Sequence, residues 1–428
     1  MDLNRKTAYD TLLEIEKNEA YSNIELNKQI KLSSPDSPAF VRELVYGVTE
    51  NRIQLDYILD FLIPRGIKKV KKQDLTLLRM GIYQLKWMNS VPEYAAVNET
   101  VKMAKKFCRG REGFINGVLR GYLKKKDEIN LPNRDENIEK YLSVKYSFAL
   151  WIVKLFIKDY GVCEAEKILA ASNMSPKLTI RVNLLKNTRE QMKLMLEEKG
   201  FSVEESLLSE RILIVKGSGL LDTEFYKKGY FSVQDEASVL AAETLNPKPF
   251  EKVYDICAAP GGKTLAMAEI MEDKGEILAF DIFPHKLNLI DKAAKRLSLT
   301  CIKTFIGDGE VFKSELVSTA DKVLVDAPCS GLGVIIKKPE IKYKEITDDC
   351  VGLSMKQLHI LENASKYVKT GGQLVYSTCT INKIENNNVI EKFLEKNSNY
   401  SMTYMKQFLP NIDGTDGFFI CKLKKELD

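Results

Sequence analysis

Three short segments hold the residues that could do chemistry. They are Asp255-Ile256-Cys257-Ala258-Ala259-Pro260-Gly261-Gly262-Lys263-Thr264, Val325-Asp326-Ala327-Pro328-Cys329-Ser330-Gly331 and Tyr376-Ser377-Thr378-Cys379-Thr380. Two glycines let a backbone pass close to a ligand, and a helix starting there would attract a carboxylate or phosphate. Cys329 and Cys379 each fall in a turn just past an apolar run, not inside a core-facing pattern. Asp281 lies 19 residues after Gly262, where an acid takes up the ribose hydroxyls of a nucleoside cofactor. Asp308, in Ile306-Gly307-Asp308, is placed to accept from an adenine amino group. One such Asp is often only a helix cap. Three at successive strand ends, Asp326 included, are better explained by S-adenosylmethionine.

Two decoys fail. Gly262-Lys263-Thr264 matches the end of a Walker A loop, but the first glycine of that pattern falls on Cys257. Val323-Leu324-Val325-Asp326 imitates a Walker B strand, which is weak alone, and G-x-G-x-x-G is absent. The other cysteines, Cys108, Cys163, Cys301, Cys350, Cys421 and Cys257, read as small buried hydrophobes. No C-x-x-C pair exists and there are two histidines, so neither a zinc site nor a disulfide framework is expected. His285 and His359 read as ordinary helix or surface residues.

These segments need a scaffold that brings them together. Each follows a short β-branched run, and helical patterns separate the runs. The spacing predicts strands at 253–257, 276–281, 302–307, 322–326 and 372–378, with helices near 263–272, 285–297, 351–368 and 383–396. That alternation implies a doubly wound parallel sheet, in which ligands sit beyond the carboxyl ends of the strands. Strand-like runs around 402–408 and 418–423 would add an antiparallel edge.

The chain of 428 residues has room for several domains. Residues 1–130 read as an all-helical bundle and 131–235 as a helical linker with a small α+β module. Residues 236–428 read as the α/β catalytic domain. The small module suits either RNA binding or a spacer role. Thr188 and Gln191 predict a capping box on its helix. Residues 1–130 carry 23 Lys+Arg against 17 Asp+Glu, and the remainder 41 against 42. A basic helical region on a neutral body points to a polyanion partner. Its clusters are Arg65, Lys68, Lys69, Lys71 and Lys72; Lys102, Lys105, Lys106, Arg109 and Arg111; and Lys124, Lys125 and Lys126. No run approaches a membrane span, and MDLNRKTAYD lacks a signal peptide's apolar stretch, so a cytoplasmic protein is expected.

DICAAPGGKT, VDAPCSGLG and YSTCT together resemble the RNA cytosine-5 methyltransferases of the NOL1/NOP2/Sun group. FVRELVYGVTENRIQLDYIL, LLRMGIYQLKWMNSVPEYAAVNETVKMAK and FINGVLR resemble the NusB-like domain of the bacterial Sun/RsmB enzymes in that group. TIRVNLLKNTRE and YFSVQDEAS resemble the segment leading into their catalytic domain. The resemblance implies an enzyme that methylates C5 of one cytosine in small-subunit (16S) rRNA. A tRNA substrate, or a non-catalytic NusB-like assembly factor, are the alternatives. It implies S-adenosylmethionine held by Cys257, Ala258, Ala259, Pro260, Gly261, Gly262, Lys263, Asp281, Asp308 and Asp326. The sequence leaves open which cysteine attacks. By resemblance, Cys379 adds to C6 and Cys329 assists release, while Asp326 stabilises the N3-protonated adduct. Lys263 then orients the base or lowers the thiolate pKa. The implied partner is unassembled 16S rRNA bound by a monomer. One stretch departs from the group: Ile335-Ile336-Lys337-Lys338-Pro339-Glu340-Ile341-Lys342-Tyr343 has Ile336 and lysines where arginines are usual, which leaves its RNA contacts open.

Overall fold

The computed structural model describes residues 2–18, 22–344 and 349–426. The chain divides into two compact units: the described residues of Met1–Met174 with those of Ile335–Glu345, and those of Ser175–Val334 with Ile346–Asp428.

The first unit is helical. Its helices are α1 (Leu3–Asn18), α2 (Ser22–Ser33), α3 (Pro38–Glu50), α4 (Arg52–Leu62), α5 (Lys72–Trp87), α6 (Glu93–Phe107), α7 (Glu112–Lys125), α8 (Ile138–Tyr146), α9 (Leu150–Tyr160) and α10 (Val162–Ala171). Helical apolar spacing places Ala8, Leu44, Val48, Leu78, Ile82 and Leu119 in one core. The breaks fall beside Pro35, Pro64, Pro92 and Gly110, as the sequence suggests. All three basic clusters are exposed.

Residues 335–344 also belong to this unit, although they follow Cys329 in sequence. Lys342 is 1% exposed and donates to Glu50 O at 3.0 Å and Asn173 Oδ1 at 2.5 Å. The Tyr343 hydroxyl donates to Glu50 O at 2.9 Å and accepts from Arg52 N at 3.1 Å. Ala149 N donates to Lys342 O and Trp151 Nε1 to Lys344 O. The departing stretch is therefore a packed strap in its second half, and Lys342 is not free to grip RNA.

The second unit holds two sheets. β1 (Leu178–Val182), β2 (Ser202–Glu205), β3 (Ile212–Lys216) and β4 (Phe231–Val233) form a small antiparallel sheet in the order β2-β3-β1-β4. It packs on α11 (Arg189–Glu197), whose N-terminus carries the expected Thr188–Gln191 capping box. A short helix, α12 (Glu224–Lys227), precedes β4. β1 and β3 are apolar runs that the sequence marks as strands. β2 is polar and mostly exposed, and β4 has three residues, so neither shows an apolar alternation.

The large sheet has β5 (Lys252–Asp255), β6 (Glu276–Asp281), β7 (Ile302–Ile306), β8 (Ala320–Asp326), β9 (Val368–Thr378), β10 (Tyr400–Phe408) and β11 (Phe418–Lys425). Its order is β10-β11-β9-β8-β5-β6-β7. β5 to β9 pair in parallel, and β11 pairs antiparallel with β9 and β10. The expected parallel sheet and antiparallel edge are both present. Helices α13 (Glu236–Leu245), α14 (Gly262–Ile270), α15 (Pro284–Leu297), α16 (Asp349–Tyr367) and α17 (Asn387–Lys396) accompany it. β5 and β8 are buried almost throughout, as a sheet covered on both faces requires. The strand order reverses between β5 and β8, so the crevice must open beyond their carboxyl ends.

Candidate active site

The turn after β5 is fixed by its backbone. Ala258 N donates to Phe280 O, Gly261 N to Ala258 O, and Ala259 N to Asp281 Oδ2 at 3.2 Å. Ala259–Pro260 is cis. Gly261 has φ +103°, and a Cβ there would stand 2.7 Å from Ile290 Cγ1, so only glycine fits. Gly262 opens α14, and its carbonyl accepts from Arg181 Nη1 at 2.9 Å. Arg181, fully buried on β1, also makes a two-pronged bond to Glu269 of α14, at 2.9 and 2.8 Å. The small sheet thus grips the helix that carries Lys263. Arg181 lies in the TIRVNLLKNTRE segment, but only the structure shows its reach to α14.

Behind the turn, the Thr264 hydroxyl donates to Asp255 Oδ2 at 2.7 Å, and burial pushes the Asp255 carboxyl up to about 7. Cys257 is half-buried, and burial first, then the surrounding acids, pushes its thiol up. That environment makes it a poor nucleophile. At the ends of β6 and β7, Asp281 Oδ1 accepts from Phe283 N at 3.0 Å and Asp308 Oδ1 from Glu310 N at 2.9 Å. Asp308 lines a shallow surface recess with Ile256, Phe280, Gly307 and Leu316 among its walls.

The thiols converge from two strands. Cys329 follows β8 and Cys379 follows β9, and their sulfurs are 3.2 Å apart. Both are free. Gly333 N donates to Cys379 O at 3.0 Å, and Gly417 N to Gly333 O at 2.9 Å. A Cβ on Gly333 would be 1.8 Å from Gly417 O, so this close approach also requires glycine. On the same strand ends, Lys263 Nζ lies 2.6 Å from Asp326 Oδ2, and Ser377 Oγ donates to Asp326 Oδ1 at 2.9 Å. Burial works against the Lys263 cation, but Asp326 outweighs it, and the ammonium pKa is raised. Lys263 also feels the charge of Cys379. The hydrogen bond with Cys379 comes first in holding the Cys329 thiol well above its ordinary value, followed by burial and the charges of Cys379 and Glu385.

The structure therefore brings Lys263, Asp326, Cys329 and Cys379 together, with Cys257 to Gly262 and Asp281 along one edge. Of the cysteines expected in cores, Cys108, Cys301 and Cys421 are buried; Cys163 is exposed and Cys350 half-buried. His359 lies on α16 and bonds to Glu310 O, while His285 packs beside Phe283.

A parallel sheet with an antiparallel return strand, a Gly-Gly turn and acids at the next strand ends define the methyltransferase class. The family description "16S rRNA methyltransferase RsmB/F" matches residues 242–424, "NusB family" residues 2–124, and a ferredoxin-like domain of RsmF/B-like methyltransferases residues 148–220. The chain belongs to the 16S rRNA methyltransferase RsmB/F family. It is 39% identical to a Bacillus subtilis protein described as "probable ribosomal RNA small subunit methyltransferase B", over 99% of this chain and 98% of that one. A Synechocystis protein of the same description is 33% identical over 98% and 99%. Among solved structures, that of PH0851 is 27% identical with a TM-score of 0.84, covering 99% of each chain.

The crevice fits the cofactor of this class. Asp281 keeps lone pairs beyond its two backbone bonds, enough for two ribose hydroxyls. Asp308 offers one carboxylate, beside Ile256 and Phe280, to an amino group on a flat ring. No described helix is long and apolar enough to cross a membrane, and the described residues hold no cluster suited to a metal ion.

Proposed function

We propose that this RNA methyltransferase modifies C5 of a cytosine in 16S rRNA through a covalent bond from Cys379 to C6. The observation that carries the reading is the pair of thiol sulfurs at 3.2 Å beside the Lys263–Asp326 ion pair. S-adenosylmethionine, when bound, supplies an electrophilic methyl group. Asp281 would hold its ribose, Asp308 its adenine, and the 257–263 turn would carry its amino-acid end at the start of α14.

C5 of cytosine is a weak nucleophile, and adding a thiolate at C6 makes it enamine-like. Lys263 places a positive charge near Cys379, and Glu385 a negative one near Cys329. These opposite fields favour the thiolate on Cys379 and the thiol on Cys329. Cys379 Sγ bonds to C6 as the C5–C6 π pair shifts toward C5. N3 takes up a proton from solvent water, to which it is later returned, and Asp326 accepts a hydrogen bond from it. Once C5 bears the methyl group, its proton must leave and the C6–S bond must break. Cys329 gives its proton to the departing Cys379 sulfur and takes the proton of C5. The C5–H pair restores the double bond, and N3 returns its proton. The net gain of one proton on the thiol pair balances the thiolate at the start.

The base must leave its stack to reach the sulfurs, which costs least in a loop or unfolded RNA. The exposed basic clusters of the helical unit would hold the RNA backbone. The test is a denaturing gel with labelled 16S rRNA fragments, alongside a 5-methylcytosine map. Cys379→Ser should lose both methylation and adduct. Cys329→Ala should methylate once and accumulate an adduct that depends on Cys379. An adduct in Cys379→Ser alone would reverse the roles. Full activity in both variants would end the covalent reading.

A further inference from the structure

Glu385 is fully buried, and no step above uses it to touch substrate. Its Oε2 accepts from Ser330 N at 2.8 Å and Gln357 Nε2 at 3.0 Å. Its Oε1 accepts from the Ser330 hydroxyl at 2.5 Å and Asn382 Nδ2 at 3.0 Å. The Ser330 hydroxyl also lies 2.9 Å from Thr380 Oγ1, and Gln357 Nε2 donates to Pro328 O at 2.9 Å. Pro328 and Ser330 flank Cys329 in the chain, and Thr380 follows Cys379. One carboxylate therefore ties together the two turns whose sulfurs must meet.

The chemistry of the donors explains why a carboxylate stands here. Four donors converge, and an ionised carboxyl offers acceptor sites on both oxygens. A glutamine would fill the same volume but would turn an N–H pair against at least one donor. Removing a buried charge from a site is expensive only when its partners are left unpaired, as they would be here. The titratable groups acting on Cys329 are Cys379 and Glu385, and Tyr376 in turn feels the charge of Cys329. Among them Glu385 sits on the Cys329 side, opposite the influence of Lys263 on Cys379.

We propose that Glu385 is the positioning residue of the thiol pair: it holds the two cysteine turns in register, and its charge keeps the proton on Cys329. The inference rests on the covalent reading above, and two measurements keep the two separable. The first uses free protein. Iodoacetamide labelling of Cys329 and Cys379 across pH, resolved by peptide mass spectrometry, gives each thiol's midpoint. In Glu385→Gln the Cys329 midpoint should fall by about 1 unit or more, since a neighbouring charge has been removed. The second is the denaturing gel. Glu385→Gln should form the RNA adduct and release it about 10²-fold more slowly, as expected when a reacting group is displaced by about 1 Å. A shifted Cys329 midpoint with no adduct in any variant would overturn the covalent reading and leave the electrostatic role standing. An unshifted midpoint with release at the wild-type rate would overturn the role of Glu385 while adducts still form in Cys329→Ala. Should Glu385→Gln not fold, Ser330→Ala removes the hydroxyl's bonds to Glu385 and Thr380 and keeps the carboxylate. It should slow release in the same direction, and wild-type release in it would overturn the inference.

Discussion

Two lysines are drawn out of solvent in different regions, and they meet opposite fates. Lys263, in the methyltransferase unit, faces the Asp326 carboxylate at 2.6 Å, and its pKa is raised. Lys342, in the helical unit, donates to two neutral oxygens and lies 4.6 Å over the Phe148 ring. Burial lowers its pKa to about 7, although the charge of Glu50 pulls the other way. The difference is one counter-charge. Where a carboxylate meets the ammonium, the cation survives burial and can act on chemistry. Where only carbonyls meet it, burial wins and the group becomes structural.

The largest effect that could break this comparison is on catalysis. Lys263→Met should reduce methyl transfer about 10²–10³-fold, the loss typical of one preorganised electrostatic group. It should also slow alkylation of Cys379 at neutral pH. Activity within tenfold of wild type would mean the Lys263 charge does no work at the thiol.

The next effect is on stability, and its sign follows from the lowered pKa of Lys342. Between about pH 7 and the ordinary value of 10.5, the unfolded chain holds a proton that the folded chain has given up. Stability of the helical unit should therefore rise with pH across that window, by at most about 1.4 kcal/mol per pH unit. Lys342→Met should flatten the rise. Calorimetric Tm values from pH 7 to 9.5 would test it, and equal slopes in the two proteins would refute it.

The smallest effect concerns lysines left in solvent, which should act by number and not by setting. Changing Lys124, Lys125 and Lys126 to Gln should lower the log–log salt slope of RNA binding by about 0.7 for each phosphate no longer neutralised. Changing them to Arg should leave the slope unaltered. A slope that ignores both triple variants would show that this cluster is only a solvated face.

The large sheet was legible because its strands are continuous apolar runs ended by distinctive turns. Asp281, Asp308 and Asp326 stand at the ends of such runs, so their approximate place could be read without coordinates. Glu385 could not be read. The sequence predicts a helix from 383, yet α17 starts at Asn387. Asn382 and Asn386 bond locally to the turn in place of the helix ladder, with Asn386 Nδ2 on Thr380 O at 3.0 Å and Ile384 N on Asn382 Oδ1 at 3.1 Å. The role of Arg181 was equally hidden: it lies in TIRVNLLKNTRE, but its partner Glu269 is 88 residues away. Lys342 misleads most directly. A lysine among lysines reads as surface charge, and only its long-range neighbours make it core.

The strap at 335–344 also bears on the order in which this protein can be made. Domains emerging from a ribosome generally fold as units, the N-terminal one first. Here the helices up to α10 emerge early, yet the segment that fills the site around Glu50, Ser147 and Asn173 is synthesised more than 150 residues after Asn173. The helical unit must wait, with that site unfilled, while most of the large sheet is still being translated. Its last native contacts are then made by a piece of chain born inside the other unit, so the two cannot be completed independently.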